Sequence, residues 1–298
     1  MSNLYNQAKK NIKKTWILIA SFLIFVIFLG WLFSYLLQNS FILWIAVVFA
    51  IFQSFLSYWY SDKIVLSITK AKPIQKKENP QLYQLVENLA KKANLPTPKI
   101  YIIDDEQPNA FATGRDQNHA SIALTRGLLE KLEKEELEGV ISHELAHIGN
   151  KDMLLQTMVV TLVGFVAILS NFFLRIAFWG GLKRDEREGN GILILLGLIA
   201  AILAPLTATL IQLAISRKRE FLADATGALL TKNPEGLARA LEKISRDNSL
   251  SKVSNPSVAH LFFICPFKGK KAESWFLKLF MTHPPIEERI KALRKISI

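Results

Sequence analysis

The amino-acid sequence predicts an α-helical integral membrane protein, four transmembrane helices joined to a water-soluble α+β part. Three observations lead there. Half of the 298 residues are hydrophobic, yet 21% are charged; that mixture suits a membrane protein with a soluble part better than either class alone. No charged residue stands between Thr15 and Ser61. Lysine and arginine gather at the flanks of the apolar runs, as they do at the cytoplasmic ends of membrane helices.

The first apolar stretch is too long for one span, because a bilayer core takes roughly 20 apolar residues per helix. "LQNS" at 37–40 breaks it, giving a hairpin of Trp16–Leu37 and Phe41–Tyr60. A third span is expected at Met153–Leu174 and a fourth at Gly191–Ser216. The basic "KKNIKK" before the first span resembles the start of a signal peptide. The run is too long for one and has no small-residue cleavage pattern, so it reads as a retained anchor.

Orientation follows from the flanks. Lys9, Lys10, Lys13 and Lys14 precede the first span, Lys63, Lys70, Lys72, Lys76 and Lys77 follow the second, and Arg217, Lys218 and Arg219 follow the fourth. The expected units are therefore an outward-looping hairpin at 1–61, a cytoplasmic part at 62–152, a second hairpin at 153–216 and a second cytoplasmic part at 217–298. The net charge of +12 reads as topology rather than nucleic-acid binding, since no basic repeat interleaved with aromatics accompanies it. A single cysteine, Cys265, rules out an intramolecular disulfide. The sequence has no internal repeat.

The soluble elements follow in order. "PQLYQLVENLAKKANL" sets Leu82, Leu85, Val86 and Leu89 at helical spacing. "KIYIID", "NAFATG" and "HASIALT" read as strands, the last two separated by the polar turn "RDQN". "EKEELEGVISHELAHIGN" reads as a helix with Leu137, Val140, Ile141, Leu145 and Ile148 on one stripe. "SRKREFLADATGALL" reads as another helix, opened up by Ala223, Ala225, Gly227 and Ala228 for close approach.

The chemistry-bearing pattern lies on the helix with the "SHELAH" stretch. His143 and His147, four apart, share a face and can present both rings to one ion, with Glu144 beside them. This is the H-E-x-x-H arrangement of metalloproteases, so the soluble part is expected to be a zincin-like domain. Catalytic zinc usually takes three protein ligands and keeps one position for water, so a third ligand is required. Glu220 is the candidate, and Asp224, one turn later, can accept the free ring N–H of a ligand histidine. The competing reading makes Glu220 and Asp224 a solvated face paired with Arg217 and Arg219.

Together, "HELAH", two further spans and "RKREFLADATGA" resemble the HtpX family of membrane-bound zinc endopeptidases, relatives of the prenyl-protein (CAAX) proteases. The likeness extends to "NAFATG", "TRGLLEKL" and the closing "THPPIEERI". It implies one zinc per chain on His143, His147 and Glu220, Glu144 as general base and Asp224 in support. It also implies a multi-pass protein of the bacterial inner membrane, active under stress on damaged or unfolded membrane proteins at the cytoplasmic face. "THPPIEERI" offers His283 and Arg289 as catalytic donors to an oxyanion. Asn109, Ala110, Phe111 and Ala112 form a strand to which an extended substrate could add. Polypeptides and the lipid bilayer are thus the expected partners, and nucleic acid is not. A narrow prenyl-protein-type protease and a non-catalytic membrane scaffold with a metal site remain the alternatives.

Overall fold

The computed structural model describes residues 2–36, 38–181, 199, 217–253, 255–263 and 284–297. Two long helices open the chain, α1 (Ser2–Leu36) and α2 (Phe41–Ile68). Gln38 takes a left-handed φ of 49°, and Asn39 accepts from the Phe41 N–H at 3.0 Å, which starts α2. A third long helix is α6 (Asp152–Gly181). Among the described residues these three are long and apolar enough to cross a membrane. The expected fourth span lies outside the described residues, Ile199 excepted.

The three differ in what surrounds them. Only 28% and 11% of the apolar windows of α1 and α2 are buried, against 72% for α6. Trp31, Trp44, Val48 and Phe52 on α1 and α2 are exposed, and apolar surface on this scale calls for lipid rather than water. Helix α6 sits inside: Leu155, Val159 and Leu162 pack on Leu18, Phe22 and Val26 of α1.

Helix α2 runs two turns beyond its expected end at Tyr60. Asp62 and Lys63 end the apolar run but not the helix, so the expected boundary at 61/62 falls inside a continuous element. Next come the short strand β1 (Lys72–Pro73) and α3 (Pro80–Lys92), started by Pro80 and capped by Asn79. Three strands follow: β2 (Lys99–Ile103), β3 (Ala110–Gly114) and β4 (Ala120–Thr125). The sheet order is β1-β2-β4-β3, with β2 parallel to β4 and both outer pairs antiparallel. Among the described residues strand β3 is thus an edge.

After a short α4 (Arg126–Lys131) comes α5 (Lys134–Gly149). Later helices are α7 (Arg217–Thr231), α8 (Pro234–Arg246) and α9 (Ile286–Leu293). One core holds both soluble pieces, with Val86, Ile122, Val140 and Leu145 packed with Leu237, Leu241 and Leu293. Helices α5 and α7 lie in close contact because Gly227 faces α5. A Cβ there would stand 3.0 Å from the His143 nitrogen.

Candidate active site

Helix α5 is buried on every side from Gly139 to Ile148, so its polar residues must find partners inside the protein. His143 and His147 face each other, Nε2 to Nε2, at 3.0 Å. Glu220, near the start of α7, meets both: its oxygens lie 3.8 Å from His143 Nε2 and 3.5 Å from His147 Nε2. All three residues are at most 5% exposed. Their ligand atoms lie within 4.8 Å of one another.

Each histidine is turned by a carboxylate behind it. His143 Nδ1 donates to Asp224 Oδ1 at 2.9 Å. His147 Nδ1 donates to Asp152 Oδ2 at 3.1 Å. Both Nε2 atoms are thereby left to face Glu220, the tautomer that metal-ligating histidines adopt. Asp152 lay in plain view, five residues beyond His147, and sequence reasoning passed over it. It reaches the ring because α5 and α6 are separate helices. Helix α5 does not run on into α6: Lys151, with a φ of 56°, turns the chain before Asp152 begins α6.

Asp224 is held in turn by Arg289 from α9. The guanidinium Nε and Nη2 donate to its two oxygens at 2.8 and 2.7 Å, with Arg289 fully buried. Arg289 Nη1 is 3.7 Å from Glu220 and has no hydrogen-bond partner among the described residues. Phe263 closes this side, edge-on to the His143 ring at 4.6 Å and under the Arg289 guanidinium at 4.7 Å. No sequence signal marked Phe263. His283, the other expected donor, lies outside the described residues.

The electrostatics follow from burial. Burial pushes the Glu144 carboxyl up to about 7, with the Glu220 charge acting in the same sense. Against this, the N–H of Ala112 donates to it. That N–H therefore points away from β4, and the edge of β3 that is unpaired among the described residues faces the cluster. Asn109, Ala110, Phe111 and Ala112 are all buried along this edge. Burial also lowers His143, to about 4. For His147 burial acts in the same sense, but the hydrogen bond to Asp152 and the Glu220 charge overcome it and raise the ring to about 9. Two imidazole nitrogens at 3.0 Å beside a carboxylate thus need a cation, a proton on His147 at the least.

This donor set fits a divalent metal. Ligand bonds of about 2.0–2.2 Å in tetrahedral array place donors about 3.3–3.6 Å apart, close to the separations of 3.0, 3.5 and 3.8 Å found here. An H-E-x-x-H helix closed by a carboxylate from a second helix, at the foot of a membrane-crossing helix, places the chain among the membrane metalloproteases.

Comparison with known proteins narrows the class. The model of peptidase family M48 matches residues 76–297, and the chain belongs to that family. It is 48% identical to the protease HtpX homolog of Thermococcus sibiricus over 269 residues, covering 89% of this chain and 90% of the relative. With the protease HtpX homolog of Thermoanaerobacter pseudethanolicus the identity is 42% over 303 residues, or 99% and 98% of the two chains. Among solved structures, S. mikatae Ste24p superposes with a TM-score of 0.51, over 98% of this chain and 67% of that one. At 19% identity this likeness is one of fold.

Proposed function

We propose that the chain is a zinc-dependent endopeptidase that cuts loosened cytoplasmic segments of membrane proteins. The observation that carries the reading is the buried cluster of His143, His147 and Glu220, with Glu144 on the same helix. Zinc bound there would supply Lewis acidity and lower the pKa of a water toward neutrality.

The residues around the cluster take the remaining roles. Asp224 and Asp152 fix the two rings so that both Nε2 atoms point inward. Glu144, buried and raised toward neutrality, is the general base: it accepts the proton of the attacking water and returns it to the leaving amine. Arg289 spends two donors on Asp224, and its Nη1 remains to meet charge developing on the substrate carbonyl oxygen. His283 joins it in this reading as a second donor. An extended substrate adds to the edge of β3 along Asn109–Ala112, its carbonyl delivered to the Glu144 side. Recognition through the strand backbone gives weak sequence preference, as clearance of damaged proteins requires.

In this reading the core shared by the described residues on either side of α6 is the catalytic body, and it lies at the cytoplasmic surface. His147 touches Asp152, the first residue of α6, so the cluster stands at the end of a membrane helix. The proposal is tested by metal analysis of the full-length chain, stripped in detergent and returned to zinc. One zinc per chain is expected, with loss of binding in Glu220→Ala; full occupancy in that variant removes Glu220 from the site. The side of the membrane is tested with single cysteines at Asp104, Asp185 and Lys270, Cys265 being replaced. Only the cysteine at 185 should react with an impermeant thiol reagent on intact cells, and labelling at 104 would invert the topology.

A further inference from the structure

The basic run before the first span contains a buried amide among its lysines. Asn11, in "KKNIKK", is 2% exposed, although it lies among lysines on the non-membrane end of α1. Its amide Nδ2 donates to Asp152 Oδ1 at 2.6 Å and to the Asn150 carbonyl at 3.1 Å. Its Oδ1 accepts from Arg219 Nη1 at 3.1 Å. The first two partners follow His147 at the joint between α5 and α6. The third precedes Glu220 on α7, and its Nε stands 3.7 Å from Asp152. One side chain of the membrane anchor thus bridges the two pieces of chain that carry the cluster.

We propose that Asn11 is a positioning residue for the metal centre, so that the cytoplasmic end of the first membrane helix is a working part of the site. The inference rests on the metal reading above. Asp152 shares its oxygens: Oδ2 takes the His147 N–H and Oδ1 takes Asn11. The Asn11 bond therefore sets the tilt of the carboxylate that orients the His147 ring. The contact to Arg219 at the same time fixes the start of α7, and with it Glu220. An amide suits this place because it donates and accepts from one short, stiff side chain. Aspartate would turn two donor contacts into repulsions between acceptors, beside a carboxylate already present. Thr15, buried one turn on, ties its hydroxyl to the Asn11 carbonyl at 2.9 Å and holds this turn of α1 in place. Through this one side chain the first helix takes part in placing both His147 and Glu220.

The test uses the full-length chain in detergent, stripped of metal and titrated with Co2+, with the visible d–d absorption band as readout. The wild type should bind one Co2+. Asn11→Leu and Asn11→Asp should bind it about 10–100-fold more weakly, as loss of an outer hydrogen-bond partner typically does, with an altered band. Asn11→Gln, which keeps the amide, should recover part of the loss. Peptide hydrolysis by these variants should lose kcat with KM nearly unchanged. Asn11→Asp keeps the volume and polarity of the side chain, so it decides the matter if Asn11→Leu does not fold. Leu18→Ala, which thins the apolar packing of α1 without touching the bridge, should match the wild type. Wild-type affinity and band in both Asn11→Leu and Asn11→Asp would overturn the inference, as would an equal loss in Leu18→Ala. A wild-type chain that takes up no cobalt would instead overturn the metal reading itself.

Discussion

Arg289 and Arg294 stand five residues apart at the end of the chain, and each grips a carboxylate with two nitrogens. Arg289 holds Asp224 at 2.8 and 2.7 Å. Arg294 holds Glu235 at 3.1 and 2.9 Å, and Glu242 at 2.9 Å. The chemistry is the same, and the surroundings are not. The Arg289 side chain is 0% exposed, the Arg294 side chain 44%. In water, an ion pair trades hydration for a contact of similar worth. In the interior, each partner becomes indispensable to the other, since removal of one strands a charge. Burial, not spacing or geometry, separates a pair that supports His143 from one that decorates a surface.

Breaking the buried pair should have the largest effect on stability. Arg289→Ala leaves Asp224 buried without its main partner and should cost about 3–5 kcal/mol, read by denaturant unfolding of the metal-free chain. Arg289→Lys should rescue little, because a single ammonium cannot replace the two-pronged grip.

Acid should sharpen the same contrast. Burial alone would raise the Asp224 carboxyl, but the charge and hydrogen bonds of Arg289 outweigh it and hold the group at about 2, below the usual 3.8. A depressed carboxyl stabilises the fold above its unfolded pKa and loses that contribution as pH falls through the folded one. The window is therefore about pH 4 to 2, and the contribution about 2 kcal/mol. Unfolding free energy measured across that window should fall more steeply in the wild type than in Asp224→Asn.

The packing of the buried region gives a smaller effect. Gly227→Ala places a methyl 3.0 Å from the His143 nitrogen and 3.3 Å from its Cα. The strain should outweigh the gain in helix propensity, for a net loss of about 1–2 kcal/mol in the same unfolding measurement. Smallest of all, Arg294→Ala should leave the thermal midpoint unchanged within error. A loss comparable to that of Arg289→Ala would break the comparison.

The sequence made legible what depends on local periodicity. The i, i+4 spacing alone put His143 and His147 on one face. The need for a third ligand picked out Glu220, which the small residues of α7 allow to approach. The three main strands stand where "KIYIID", "NAFATG" and "HASIALT" read as strands. What stayed hidden depends on tertiary placement. Asp152 reaches His147 only because of a left-handed residue at Lys151. Asn11 was masked by the lysines on either side of it, and Phe263 sits in a stretch with no periodic pattern. The end of α2 was misjudged because hydropathy reports where lipid stops, not where hydrogen bonding along the helix does.

The central claim is that Glu144 acts as the base beside a metal held by His143, His147 and Glu220. The most direct measurement is hydrolysis of an unfolded polypeptide such as casein by the full-length chain in detergent, after chelation and return of zinc, for wild type and Glu144→Gln. The account predicts that wild-type hydrolysis stops with the chelator and returns with zinc. It predicts that Glu144→Gln still binds one zinc but hydrolyses about 10²–10⁴-fold more slowly. Wild-type turnover in Glu144→Gln, or hydrolysis that persists in the chelator, would contradict it.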